Sequence, residues 1–189
     1  MKRVFDFSAG FFGLLLLSPL FILISVCILI DDGKPVFFRQ DRVGKDNKIF
    51  KIYKFRTMKN GTGDFATNSL KDKKHKITSF GSFLRKTSLD ELPQLLNLVN
   101  GTMSVVGPRP LIPSEEEIRK LRAENGIYDV MPGITGWAQI NGRDEVSLEE
   151  KVRLDKEYIE KRSFAFDLKI IFLTVKSVIK SEGIIDEDK

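Results

Sequence analysis

The stretch Phe11-Phe12-Gly13-Leu14-Leu15-Leu16-Leu17-Ser18-Pro19-Leu20-Phe21-Ile22-Leu23-Ile24 decides how this chain is organised. It is the centre of a run from Phe7 to Ile30 that contains no charged side chain. An apolar helix of about 20 residues is long enough to cross the hydrocarbon of a bilayer. A secretory signal would share the basic start at Lys2 and Arg3. It would not be this long, nor run into Asp31-Asp32-Gly33-Lys34-Pro35 without a small-residue cleavage pattern. Positive charge flanks the run on both sides: Lys2 and Arg3 before it, then Lys34, Arg39, Arg42, Lys45, Lys48, Lys51 and Lys54 after it. Such charge favours the cytoplasmic side, so both ends are expected on the same side. Pro19 removes a helix hydrogen bond near the middle, and the Ser18 hydroxyl can satisfy a carbonyl freed there. The expectation is a re-entrant membrane helix over residues 1–33, broken at Ser18-Pro19. A single tilted span with a kink is the alternative.

Outward from this segment, Val36-Phe37-Phe38-Arg39-Gln40 and Ile49-Phe50-Lys51-Ile52-Tyr53-Lys54-Phe55 alternate in the manner of short half-buried strands, with a turn at Gly44-Lys45-Asp46-Asn47. Residues 60–77 read as a basic, mobile loop. Ser147 and Glu150 mark the start of a charged helix running to about Arg162, with Leu148, Val152 and Ile159 facing inward. In residues 164–180, Leu168, Ile171, Phe172, Val175 and Ile179 share one helical face, while Lys169, Lys176 and Lys180 share another. That pattern fits a helix lying at a membrane interface, and it equally fits packing on the core. The fold class is α+β. It comprises the membrane helix and a domain over 34–189 that is small, mostly helical and cytosolic, with short β-strands and an interfacial amphipathic helix near 164–180.

Charge is polarised along the 189 residues. Residues 1–109 carry 18 Lys and Arg against 9 Asp and Glu, while residues 110–189 carry 13 against 17. One cysteine, Cys27, excludes an internal disulfide, and one cysteine with one histidine, His75, cannot build a Cys/His metal cluster. His75 reads as a solvated loop residue. Within the basic half stands an acid pair, Asp90-Glu91, in Thr87-Ser88-Leu89-Asp90-Glu91-Leu92-Pro93-Gln94, preceded by Arg85 and Lys86. Carboxylates gathered among cations suit a metal ion or an anionic substrate. Ser88 and Glu91 match a capping box, which predicts a helix starting at the pair. Two rigid turns, Gly107-Pro108-Arg109-Pro110 and Pro132-Gly133-Ile134-Thr135-Gly136, the latter continuing to Gln139 and Arg143, each present an arginine suited to phosphate.

Taken together, Lys2-Arg3-x-x-Asp6, Lys54-Phe55-Arg56-Thr57-Met58, Ser88-Leu89-Asp90-Glu91-Leu92-Pro93-Gln94, Gly107-Pro108-Arg109-Pro110 and Pro132-Gly133-Ile134-Thr135-Gly136 resemble, in order and spacing, the bacterial sugar transferases. The likeness is to the small monotopic phosphoglycosyl transferases of the PglC-like kind, and it covers nearly the whole chain. The resemblance implies transfer of a sugar-1-phosphate from a UDP-sugar to undecaprenyl phosphate, with release of UMP, at the cytoplasmic face of the bacterial inner membrane. It implies Asp90 as nucleophile, Mg²⁺ as cofactor held by Asp90 and Glu91, and Glu91 as metal ligand or base. Lys54, Arg56, Arg85, Arg109, Gln139 and Arg143 are the expected substrate-binding residues, and Ser18-Pro19 the membrane-breaking pair. The expected partners are membrane lipids and the two substrates, with no nucleic acid, and a homo-oligomer is compatible with all of this. Two positions depart from the family's usual pattern: Thr102, where members often carry Asp, and Trp137, where a smaller aliphatic residue is frequent. A non-catalytic basic protein of the membrane surface is the competing reading.

Overall fold

The computed structural model describes residues 2–60, 76–141 and 146–179. Helix α1 (Lys2–Asp32) leads into an antiparallel hairpin of β1 (Phe37–Val43) and β2 (Ile49–Phe55), paired from Phe37 with Phe55 to Val43 with Ile49. Then come α2 (Ser79–Lys86), a 3-10 turn (Leu89–Gln94), α3 (Leu95–Asn100) and β3 (Ser104–Val106). After α4 (Glu116–Glu124), β4 (Gly133–Thr135) pairs in parallel with β3. The chain continues through α5 (Trp137–Asn141), α6 (Leu148–Lys161) and α7 (Phe164–Ile179). The α+β expectation holds, with helices dominant and two small two-stranded sheets.

The expected break at Ser18-Pro19 is not a gap in the helix, since α1 runs through Pro19 without interruption. Pro19 has no N–H to give the Leu15 carbonyl, and the Ser18 hydroxyl donates to that carbonyl instead at 2.8 Å. The more informative feature is what the ends touch. At the start, Lys2 donates to Tyr158 and Asp167, Arg3 to the Leu98 and Val99 carbonyls at the end of α3, and buried Asp6 accepts from the Ser104 hydroxyl and the Val105 N–H. Gly10 lets α1 lie close to α3, where an added Cβ would stand 2.8 Å from that of Leu98. At the far end, Ile24 and Ile28 pack with Phe55 and Leu84, and Asp32 pairs with Arg56 at 3.1 Å. Both ends of α1 therefore dock on one domain. Its outer face leaves Phe12, Leu15, Leu16, Ile22, Leu23 and Ile30 exposed, an apolar patch far larger than water tolerates uncovered.

Helix α7 packs on the core through a set of residues largely different from the expected face. Ile170 is fully buried and Ile171 packs on the core beside Tyr158 and Phe166, while Phe164, Leu168, Phe172 and Val175 stay exposed. Helix α6 begins as expected, with the Ser147 hydroxyl accepting the Glu150 N–H. Val152 is buried, and Leu148 and Ile159 pack against its cluster. The loop and His75 expected within 60–77 fall largely outside the described residues. At its base, the Lys59 N–H meets the Lys76 carbonyl at 2.8 Å.

Candidate active site

The capping box at the acid pair does not form. Ser88 adopts a left-handed conformation (φ 55°) and makes no side-chain cap, because it terminates α2: its N–H donates to the Arg85 carbonyl. Leu89–Gln94 coils as a 3-10 turn, and α3 starts only at Leu95. Asn97, completely buried, fixes this turn against the hairpin. Its Oδ1 accepts the Tyr53 N–H at 3.1 Å and its Nδ2 donates to the Lys51 carbonyl at 2.8 Å, so one side chain occupies the open edge of β2. The next residue along β2, Lys54, is thereby brought to the acids.

Lys54 Nζ lies 2.6 Å from Glu91 Oε1 and 4.0 Å from Asp90 Oδ2, and Arg109 reaches Glu91 at 3.6 Å. The two neighbouring carboxylates are thus held differently. Burial dominates at Asp90 and lifts its pKa to about 6, aided by the charge of Glu91 and opposed by Lys54 and Arg85. At Glu91 burial pulls upward too. Lys54 and Arg109, with hydrogen bonds from Lys54 and Gln94, outweigh it and hold the carboxyl down at about 2. Two adjacent acids pushed apart in this way are prepared for different tasks.

Glu91 and Arg109 line a cavity of about 590 Å³ that also takes in Arg42, Gln139, Thr135 and Lys151. Of the residues expected to bind substrate, the structure brings Lys54, Arg109 and Gln139 to the dyad or its cavity. Arg85 contributes its charge to Asp90, with its Nε on the Thr57 hydroxyl at 2.9 Å. Arg56 is placed elsewhere. It is buried, and its guanidinium donates to Asn60 and to the Asp32 and Gly33 carbonyls, so it ties the end of α1 to the hairpin and does not face the cavity. Arg143 lies outside the described residues. Sequence reading missed Asn97, carried Asp6 only within the Lys2-Arg3-x-x-Asp6 motif and without a role, and counted Arg42 only among flanking charges. For Arg42 the signal available was its i+2 relation to Gln40, which sets both on one face of β1.

Among the described residues no cluster of three or more acids, histidines or cysteines could hold a metal. The donor set nevertheless fits Mg²⁺, which commonly takes one or two carboxylates and completes its shell with substrate phosphate and water. Glu91, kept ionised, and Asp90 beside it are the residues that would hold it.

The chain matches the bacterial sugar transferase model over residues 1–181. It is 44% identical to a sugar transferase, EpsL, of Bacillus subtilis, with 97% of this chain and 90% of that protein covered. It is 43% identical to the UDP-glucose:undecaprenyl-phosphate glucose-1-phosphate transferase of Escherichia coli, where it covers 39% of the longer protein and 93% of itself is aligned. It is 40% identical to the exopolysaccharide production protein ExoY of Sinorhizobium fredii, over 96% of this chain and 87% of that one. With the acid pair, the basic cavity and the apolar helix on one framework, the chain belongs to the bacterial sugar transferase family.

Proposed function

We propose that this protein transfers a sugar-1-phosphate from a UDP-sugar to undecaprenyl phosphate, in two displacements through Asp90. The observation that carries this reading is the split acid pair, whose Glu91 lines a cationic cavity with Asp90 next to it in sequence. With a pKa of about 6, Asp90 is ionised at neutral pH yet more basic than an ordinary carboxylate, a combination that favours nucleophilic attack. An Asp90 carboxylate oxygen attacks the sugar-bearing phosphorus of the donor. The P–O bond to the bridging oxygen breaks, and UMP leaves with that oxygen and its electron pair. A lipid phosphate oxygen then attacks the same phosphorus, forming the lipid diphosphate and restoring the carboxylate. Glu91, kept ionised by Lys54 and Arg109, assists by metal binding or by taking the lipid phosphate's proton. When bound at Asp90 and Glu91, Mg²⁺ supplies charge neutralisation at the phosphates. Lys54 and Arg109 add fixed positive charge there.

The docking of both ends of α1 on one domain supports a re-entrant placement, because ends held by one domain cannot lie on opposite sides of a bilayer. The positive flanks support a cytoplasmic position for that side. The test is UMP release by detergent-solubilised protein given Mg²⁺, undecaprenyl phosphate and a panel of UDP-sugars. UMP formed from one donor and transferred label in the lipid fraction are the expected result. UDP as product would mean that the sugar moves without its phosphate, and would overturn the reading.

A further inference from the structure

Arg42 is a charged side chain of the cavity that the acid pair does not explain. It projects from β1 toward the Gly107–Pro110 turn, with Nη1 donating to the Pro110 carbonyl at 3.2 Å and Nη2 to Gln40 Oε1 at 2.7 Å. Its Nε is buried without a partner. The Val43 N–H donates to the Leu111 carbonyl at 2.8 Å, so strand and turn are stitched together on either side of the guanidinium. This fixes Arg42 beside Arg109, and both line the same cavity. Two guanidiniums in one partly dry space repel. Burial first, then the charge of Arg109, draws the Arg42 pKa down to about 10, against the pull of Glu115 and Glu91. Arg42 remains fully charged at neutral pH.

Among the described residues no carboxylate pairs with Arg42 directly. Glu91 is already taken by Lys54, and Glu115 Oε2 accepts the Ile112 N–H at 2.6 Å. By contrast Arg122, another arginine of the cavity wall, is neutralised by Asp155 at 2.6 Å. Arg42 has no carboxylate of its own, Arg109 shares Glu91 with Lys54, and the buried Arg42 Nε is an unused donor, so positive charge is in local excess and suits an anion that presents several oxygens.

We propose that Arg42 and Arg109 together form a phosphate clamp, with Arg42 a substrate-contacting residue whose ligand is a phosphate oxygen. The ligand chemistry is shared by the donor's diphosphate and the acceptor lipid's phosphate. This rests on the transferase reading for its two named sources, while the anion site itself does not. Binding of inorganic pyrophosphate to the full detergent-solubilised chain, at low ionic strength, tests the site without any turnover. Substituting Arg42→Met should weaken pyrophosphate binding by about 10- to 100-fold, the range for a lost charged hydrogen bond. Arg42→Gln, which retains a donor for the Pro110 carbonyl, should fold with an unchanged melting temperature and weaken binding to a similar degree. Arg42→Lys should recover part of it. If folded Arg42→Gln binds pyrophosphate like the parent, or if the parent does not bind it, the clamp is wrong.

A second arm names the source. Loss of lipid-independent, single-turnover UMP release in Arg42→Gln assigns the clamp to the donor's diphosphate. Intact release with impaired transfer assigns it to the lipid phosphate. Both steps intact would overturn the substrate contact. A parent protein that binds pyrophosphate but releases no UMP from any donor would instead count against the transferase reading alone.

Discussion

Two buried charge clusters in this molecule look alike on paper and differ in kind. Arg122 and Asp155 face each other at 2.6 Å, are 5% and 2% exposed, and share the interior with the Arg109 carbonyl, which Arg122 also holds at 2.6 Å. Charges there cancel within the pair. Around Asp90, cations and acids meet at unequal distances: Glu91 is satisfied, Asp90 stands 4.0 Å from its nearest cation, and Arg42 has no acid of its own. A closed cluster holds the fold together. An open one keeps free energy in reserve for a ligand. The difference is sharpest in what amide substitution should do to each acid.

The largest effect is expected at Asp90. Asp90→Asn removes the proposed nucleophile, and UMP release should fall by about 10⁴-fold or more, the scale seen when a nucleophile is lost. Membrane association should persist, since α1 and α7 are untouched. A substitution with full residual release would eliminate Asp90 as the attacking group and favour the non-catalytic reading.

Next in size is the closed pair. Asp155→Ala leaves Arg122 buried without its partner, and a loss of about 3–5 kcal/mol is expected from chemical unfolding. The double replacement Arg122→Met, Asp155→Leu should recover most of that loss, because breaking such a pair costs more than removing it whole. Failure of the double variant to recover would mean that the Arg109 carbonyl, and with it the turn, depends on the guanidinium itself.

Much of this was legible in the sequence, for identifiable reasons. The hairpin and the cap at Ser147 are governed by local alternation and one hydroxyl, and each lies near its expected place. The hydroxyl of Ser18 was predictable because it compensates a missing N–H only a few atoms away. Ser88 was misread because the same residue types serve to end one helix and to begin another. The preceding helix decided between them, together with Lys54, which claims the Glu91 carboxylate that the capping box required. Arg56 and Arg42 were misjudged for a related cause. Alternation says which face of a strand a side chain takes, but not that α1 covers Arg56 while the Gly107–Pro110 turn meets Arg42. Asp6 acts through partners distant in sequence, and Asn97 joins the distant hairpin as well as Thr102 nearby.

The third effect reverses the sign of the second. Asp90 is buried with its pKa raised from 3.8 to about 6, so the folded state binds its proton more tightly than the unfolded chain does. Its contribution to stability is therefore full below pH 4 and lost as pH rises through 6. By neutral pH the ionised carboxylate costs about 3 kcal/mol, from roughly two pKa units at about 1.4 kcal/mol each. In EDTA, Asp90→Asn should thus be more stable than the parent at pH 7, with the gap closing between pH 6 and 4. An amide that destabilises at neutral pH would mean that partners hold the ionised Asp90 against the cost of burial.

The smallest effect links the same proton to rate. Attack requires the carboxylate, so single-turnover UMP release should fall as pH drops, with a slope of one proton and a midpoint at or below about 6, since a bound cation favours the ionised form. The proton that stabilises the fold is then the one that silences the site. Metal sharpens the comparison further. The stability midpoint taken in EDTA reports Asp90 alone, whereas the rate midpoint taken with Mg²⁺ reports it in the working site. Coincident midpoints near 6 would mean that Glu91 holds the ion and Asp90 stays free to attack. A rate midpoint displaced well below the stability midpoint would mean that positive charge rests on Asp90 itself, since a cation there favours the ionised form.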